Sequence, residues 1–148
     1  MIETLAGIAE WTGSNMAYNL KFIPDDKLNW KPAPEALSAL EVINHAAIPL
    51  MMMPAMLAGE TPAEIVPATT REEAQKLIRM ASQSYAAKLR AMSPQDLEGT
   101  IAMPFGGDWP RARAASLPTI DLVHHHGQIA YIQTLLGDTE SHFEEMGN

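Results

Sequence analysis

Apolar positions recur at three- and four-residue steps in four segments of the chain, and no segment shows the strict alternation of a half-buried strand. In the first, from about Ile2 to Phe22, one stripe collects Ile2, Leu5, Ala9, Thr12, Met16, Leu20 and Ile23, and Pro24-Asp25 stops it. The Pro-rich connection DDKLNWKPAPEALS leads to Ser38, a suitable N-cap for a second helix over about Ala39 to Leu57. That helix is apolar nearly all round, as in an element buried on most sides or lying in an interface. Pro49 cannot donate to the carbonyl of His45, so a kink or break is expected one turn after that histidine. Thr70 and Glu73 make a capping box that opens a third helix to about Ala91, and a short turn begins at Ser93-Pro94. A Gly- and Pro-punctuated stretch covers Gly99 to Ala115. Ser116 and Pro118 then open a fourth helix that runs to Leu136 and stops at Gly137. The pattern predicts an all-α domain over residues 1–137, followed by an acidic, mobile tail over 138–148. No internal repeat or second domain boundary is visible.

Composition narrows the class. A chain of 148 residues is long enough to bury a core, and a 47% apolar content excludes intrinsic disorder. The absence of cysteine excludes disulfides, thiolate metal sites and a cysteine nucleophile, so any metal must be held by imidazole and carboxylate. The net charge is -8 and the ten Lys and Arg are scattered, with none of the clustered basic face that phosphate neutralisation requires; nucleic acid is not an expected partner. The stretch Ala46 to Ala58 is too short to span a bilayer and holds two prolines, and MIETLAGIAEW lacks the basic n-region of a secretory signal. The expectation is a cytoplasmic protein with no membrane partner.

The fourth helix carries the candidate chemistry. At about 100° per residue, Leu117, Ile129, Ile132, Leu135 and Leu136 form an apolar arc with Asp121, His125 and Gln128 in its middle. His126 then points to solvent and His124 lies on the shoulder, so of the three consecutive histidines His125 is the inward one. A carboxylate in a core-facing stripe is costly unless paired or bound to a cation. Asp121 and His125 stand one turn apart on one face, the spacing by which a helix offers two ligands to one metal. His45 is the natural third ligand, since Val42, Pro49, Met52 and Met56 flank it and predict that it faces inward. Three N and O ligands leave a position open for water or substrate, as catalytic sites do. Spacing alone equally allows a hydrogen-bonded core histidine, or a buried Asp121–His125 ion pair. Glu41, one turn before His45, reads as a fourth ligand, an outer partner or a solvated charge. The cluster Met51, Met52, Met53 and Met56 reads as core or as a homodimer interface. Pro104, Phe105, Gly106, Gly107 and Trp109 read either as a lid over an open metal face or as a plug at the bundle end, and Arg111 and Arg113 as anion grips or solvated charge.

In order along the chain, LNWKPAPEALSALEVINHA, MPFGGDW and VHHHGQIAYIQTLLG resemble the Trp-x-Pro-x-Pro opening, the Pro-Phe-Gly loop and the His-Arg-Gly-Gln helix of the DinB/YfiT-like family of metalloenzymes. The resemblance covers essentially the whole chain and implies an up-down-down-up four-helix bundle with one divalent ion at an end. It places the family's ligand histidines on His45 and His125, with Asp121 where members commonly carry a third histidine and His126 where they carry Arg. A two-His, one-carboxylate set suits zinc or nickel first, and iron or manganese next. Relatives join low-molecular-weight thiols to electrophiles, or isomerise with a thiol's help. The resemblance therefore implies a metal-dependent thiol S-transferase acting on a small molecule, with Tyr131 or Gln128 orienting a bound group. Metal-assisted hydrolysis and a non-catalytic binding or dimerising bundle are the alternatives.

Overall fold

Four long helices start where local caps satisfy their first backbone N–H groups. The computed structural model describes residues 1–144, with α1 over Ile2–Asn19, α2 over Ala39–Ala58, α3 over Arg71–Arg90 and α4 over Arg111–Leu135. At α2 the backbone of Glu41 donates to Ser38 Oγ (3.3 Å) and Ser38 N–H donates to Glu41 Oε2 (2.8 Å). Thr70 and Glu73 close the same reciprocal box on α3, as the sequence predicts. Glu41 is therefore a capping residue that also pairs with Lys31 (2.8 Å), and its carboxyl is held below its usual pKa mainly by that lysine.

Contacts between the helices fix the topology. Arg90, at the end of α3, binds Glu3 and Glu10 near the start of α1, so these helices run antiparallel. Asn44 near the start of α2 exchanges two hydrogen bonds with Ala68 just before α3, so α2 and α3 run parallel. Arg111, at the start of α4, donates to the carbonyl of Leu57 at the end of α2 (2.5 Å), so α2 and α4 are antiparallel. The bundle is up-down-down-up, with α1 and α2 on one diagonal and α3 and α4 on the other.

Helices α1 and α3 meet closely at Gly13. A Cβ added at Gly13 would lie 2.1 Å from Ser82 Oγ and 3.3 Å from the Ile78 carbonyl, so only glycine allows this spacing. Helix α2 is long and apolar enough to cross a bilayer by length and composition, but 56% of its most apolar window is buried in the bundle. Neither Pro49 nor Pro54 ends it. Burial of Ile43, Ala47, Leu50, Met53 and Leu57 on one arc outweighs the lost backbone hydrogen bonds.

The structure departs from the sequence expectation in three places. Gly99 to Ala115 holds a short antiparallel hairpin, β1 over Thr100–Ala102 and β2 over Asp108–Pro110, turned by Gly106 and Gly107 at positive φ. Three-residue strands are too short to display alternation. Second, α4 begins at Arg111, with Pro118 buried inside it rather than at its start. The buried Tyr85 hydroxyl donates to the Ala115 carbonyl (2.5 Å), next to the Ala114 carbonyl that Pro118 leaves without its helical donor. Third, residues 138–144 are docked. Phe143 stacks on Trp11, His142 on Phe22, and Glu144 forms a two-point pair with Arg79. The remainder of the expected tail, 145–148, lies outside the described residues.

Candidate functional site

Because α2 and α4 are antiparallel neighbours, the second turn of α2 faces the later half of α4, and this brings His45 and His125 together. Their rings meet edge to face, with centroids 5.0 Å apart. His125 is buried (4% exposed) and belongs to the core stripe Leu122, His125, Ile129, Ile132. Its Nδ1–H donates to Gln128 Oε1 at 2.6 Å. In the neutral ring this fixes the tautomer and leaves the lone pair on Nε2.

That nitrogen faces Asp121. Oδ2 lies 3.3 Å from Nε2, yet the pair lacks hydrogen-bonding geometry, and Nε2 is one of two buried side-chain polar atoms without a partner among the described residues, the other being Thr12 Oγ1. A charge-assisted N–H···O⁻ bond closes to about 2.7–2.9 Å. By contrast, two ligands at about 2.0–2.1 Å from a tetrahedral ion stand roughly 3.3 Å apart. Two acceptors facing each other across that gap repel unless a cation lies between them. The donor chemistry and the orphaned nitrogen therefore fit a divalent ion. Among the described residues no three carboxylate or imidazole groups already converge as a finished ligand set; Asp121 and His45 each approach His125 separately.

Four expected orientations are corrected. His45 is exposed, not inward. A helix apolar all round does not reveal which arc is central, and the buried arc through Val42, Ala46, Leu50 and Met53 leaves His45 on the flank towards α4. Asp121 and Gln128 are likewise half-buried flank residues, because Leu122 takes the centre of α4. His126, expected in solvent, is half-buried: its Nε2–H donates to Asn19 Oδ1 (2.8 Å), it packs edge-on to Trp11, and burial lowers its pKa. His124 is exposed.

The loop residues serve the opposite end of the bundle. The Arg111–Leu57 contact lies twelve residues, about 18 Å of helix, from His45. Phe105 and Trp109 pack on each other there, and Arg113 lies over the Trp109 ring at 3.7 Å, so this hairpin is not a lid over the histidines and neither arginine reaches them. Tyr131 is 63% exposed, six residues along α4 beyond His125 and ten beyond Asp121. The role that sequence reasoning missed is that of Gln128: its amide is committed to His125, and its i,i+3 spacing was the available signal.

A family model described as DinB superfamily matches residues 9–129. The chain belongs to the DinB superfamily. Among solved structures this DinB protein is similar to a DinB-like protein, YjoA, of Bacillus subtilis, with TM-score 0.73 and 16% identity over 95% of this chain and 96% of that one. It is also similar to the mycothiol-dependent maleylpyruvate isomerase, with TM-score 0.65 and 15% identity, and to a mutant of that isomerase, with TM-score 0.68 and 12% identity. The DinB chain covers 60% of the isomerase's length. No curated protein matches in sequence.

Proposed function

We propose that this DinB protein is a divalent-metal-dependent enzyme, with His45, Asp121 and His125 as ligands, that activates a low-molecular-weight thiol for S-transfer to a small electrophile. The observation that carries the reading is the buried His125 Nε2, which has no hydrogen-bond partner and faces a carboxylate 3.3 Å away while Nδ1 is held by Gln128. Membership of the DinB superfamily and the fold shared with a mycothiol-dependent isomerase support the thiol. A divalent ion bound here supplies a Lewis acid that lowers the pKa of a thiol towards its thiolate.

The chain's own residues then divide the work. Gln128 is a positioning residue that holds the His125 ring in one tautomer and orientation. Asp121 offsets one charge of the ion, which leaves the site cationic enough to attract a thiolate. The exposure of His45 keeps one side open to an entering molecule, and core packing around His125 keeps water from the other.

Metal analysis of protein purified without an affinity tag tests the reading. About one zinc or nickel per chain is expected, falling strongly in His125→Ala and Asp121→Ala. Transfer to a model electrophile should then require added thiol. A thiol-independent hydrolysis would point to a bound hydroxide instead, and absence of stoichiometric metal would leave a non-catalytic bundle.

A further inference from the structure

One turn from the imidazole pair the structure holds a cavity of ≈ 290 Å³, just under the range of small-molecule pockets, roughly 300 to 1,000 Å³. Its floor is Val42 and Gln128, which stand i,i+3 from His45 and His125 on their own helices, so it begins one turn along the α2–α4 groove from the two rings. Its roof is the Pro-rich connection, through Pro32, Glu35 and Leu37, and Tyr131 stands at its rim. The walls are mostly apolar, and the charge on the rim has one sign. Lys31, the nearest cation in the connection, is committed to Glu41, whereas Glu35 has no ion-pair partner among the described residues.

We propose that this cavity holds the non-reacting part of the substrate, and that this part is an apolar group, uncharged or cationic at its far end. The inference rests on the proposed metal reading for where the reacting atom sits: a molecule seated here lies within one helical turn of His45 and His125. Apolar walls select body shape by area removed from water, and the uncompensated Glu35 carboxylate on the rim disfavours an anionic end. A larger apolar groove of ≈ 600 Å³ runs between α2 and α3 past Met51, Leu77 and Met80, but it contains neither histidine.

The test uses metal-free full-length protein, so a failed metal reading would appear in the metal analysis and not here. Benzylamine, benzyl alcohol and benzoate, which share one ring and differ in charge, are titrated while backbone and methyl NMR shifts are followed. The expected shifts centre on Leu37, Val42, Gln128 and Tyr131, with benzoate the weakest ligand. Ala36→Trp from the roof and Val42→Phe from the floor should each abolish them. Glu35→Lys should reverse the order of benzylamine and benzoate, by about threefold each way as befits an exposed charge, and leave benzyl alcohol unchanged. Shifts centred on Met51, Leu77 and Met80, or an order indifferent to Glu35→Lys, would overturn the proposal.

Discussion

Replacing Gln128 by leucine keeps the side-chain volume and removes the one acceptor that orients His125. The Nδ1–Oε1 bond is 2.6 Å long and the ring is 4% exposed, so Nδ1–H has no ready substitute in water. Two losses follow. In metal-free protein, one buried donor without its acceptor costs about 1–3 kcal/mol, which in a domain of this size lowers Tm by several degrees, at about 2–4 °C per kcal/mol. In the metal-bound protein, the ring is free to turn and to change tautomer, so Nε2 no longer presents its lone pair towards Asp121. Losses of this kind reduce metal affinity by about 10- to 100-fold, or roughly 1.4–2.7 kcal/mol. The assay is competition for zinc against a chromophoric chelator at fixed pH, with thermal unfolding of the apo-protein alongside. Gln128→Glu retains an acceptor at the same distance and should recover much of the affinity. A Gln128→Leu affinity within twofold of the parent, with Tm lowered, would refute a positioning role and leave Gln128 a structural residue only.

Gly13→Ala should destabilise the bundle by about 1–3 kcal/mol, because its Cβ meets Ser82 at 2.1 Å; denaturant unfolding measures it, and Ser82→Gly in the same chain should restore most of the loss. Tyr85→Phe deletes a buried hydroxyl bonded to the Ala115 carbonyl and should cost about 1 kcal/mol, read as a Tm shift of a few degrees; no change would show that the α4 backbone near Pro118 satisfies itself. Acid should release the docked tail before the bundle unfolds. The Arg79 guanidinium holds the Glu144 carboxyl below its usual value, so the stabilisation is present above the normal glutamate pKa and fades as pH falls through the lowered one. Trp11 fluorescence, reporting on the stacked Phe143, should follow that transition, and Arg79→Gln should move it to higher pH.

The fold was legible because helix caps and periodicity are local. Ser38, Thr70 and the α1 stripe through Ala9, Thr12, Met16 and Leu20 depend only on near neighbours in sequence, and each lies where those neighbours put it. The pairing of His125 with Asp121 was legible for the same reason, since i,i+4 spacing sets it. The depth of His45 was not. On a helix with apolar residues on every side, the buried arc is decided by where α3 and α4 press, which no local pattern encodes. The error at His126 has a like origin: the helix wheel placed it outside the core, but Asn19 and Trp11 on α1 close over that side. The tail reads as mobile because its acidic sequence has no period, while its anchors are Arg79, Asn15 and aromatic rings far away in the chain.

The site's depth profile follows from this packing. His125 is locked in the core stripe, Asp121 stands half-buried one turn before it, and His45 is exposed on the facing helix. A set of ligands that were all buried would enclose an ion and serve structure. In the proposed enzyme a graded set would hold the ion from one side and leave the other to solvent and substrate. The antiparallel contact of α2 and α4 supplies that gradient, because one helix is central at this level and the other presents its flank. The same contact opens the cavity floored by Val42 and Gln128 one turn away. In the proposed enzyme, then, ligand and substrate positions are two consecutive turns of one helix pair, and Gln128, which touches both His125 and the cavity, joins them.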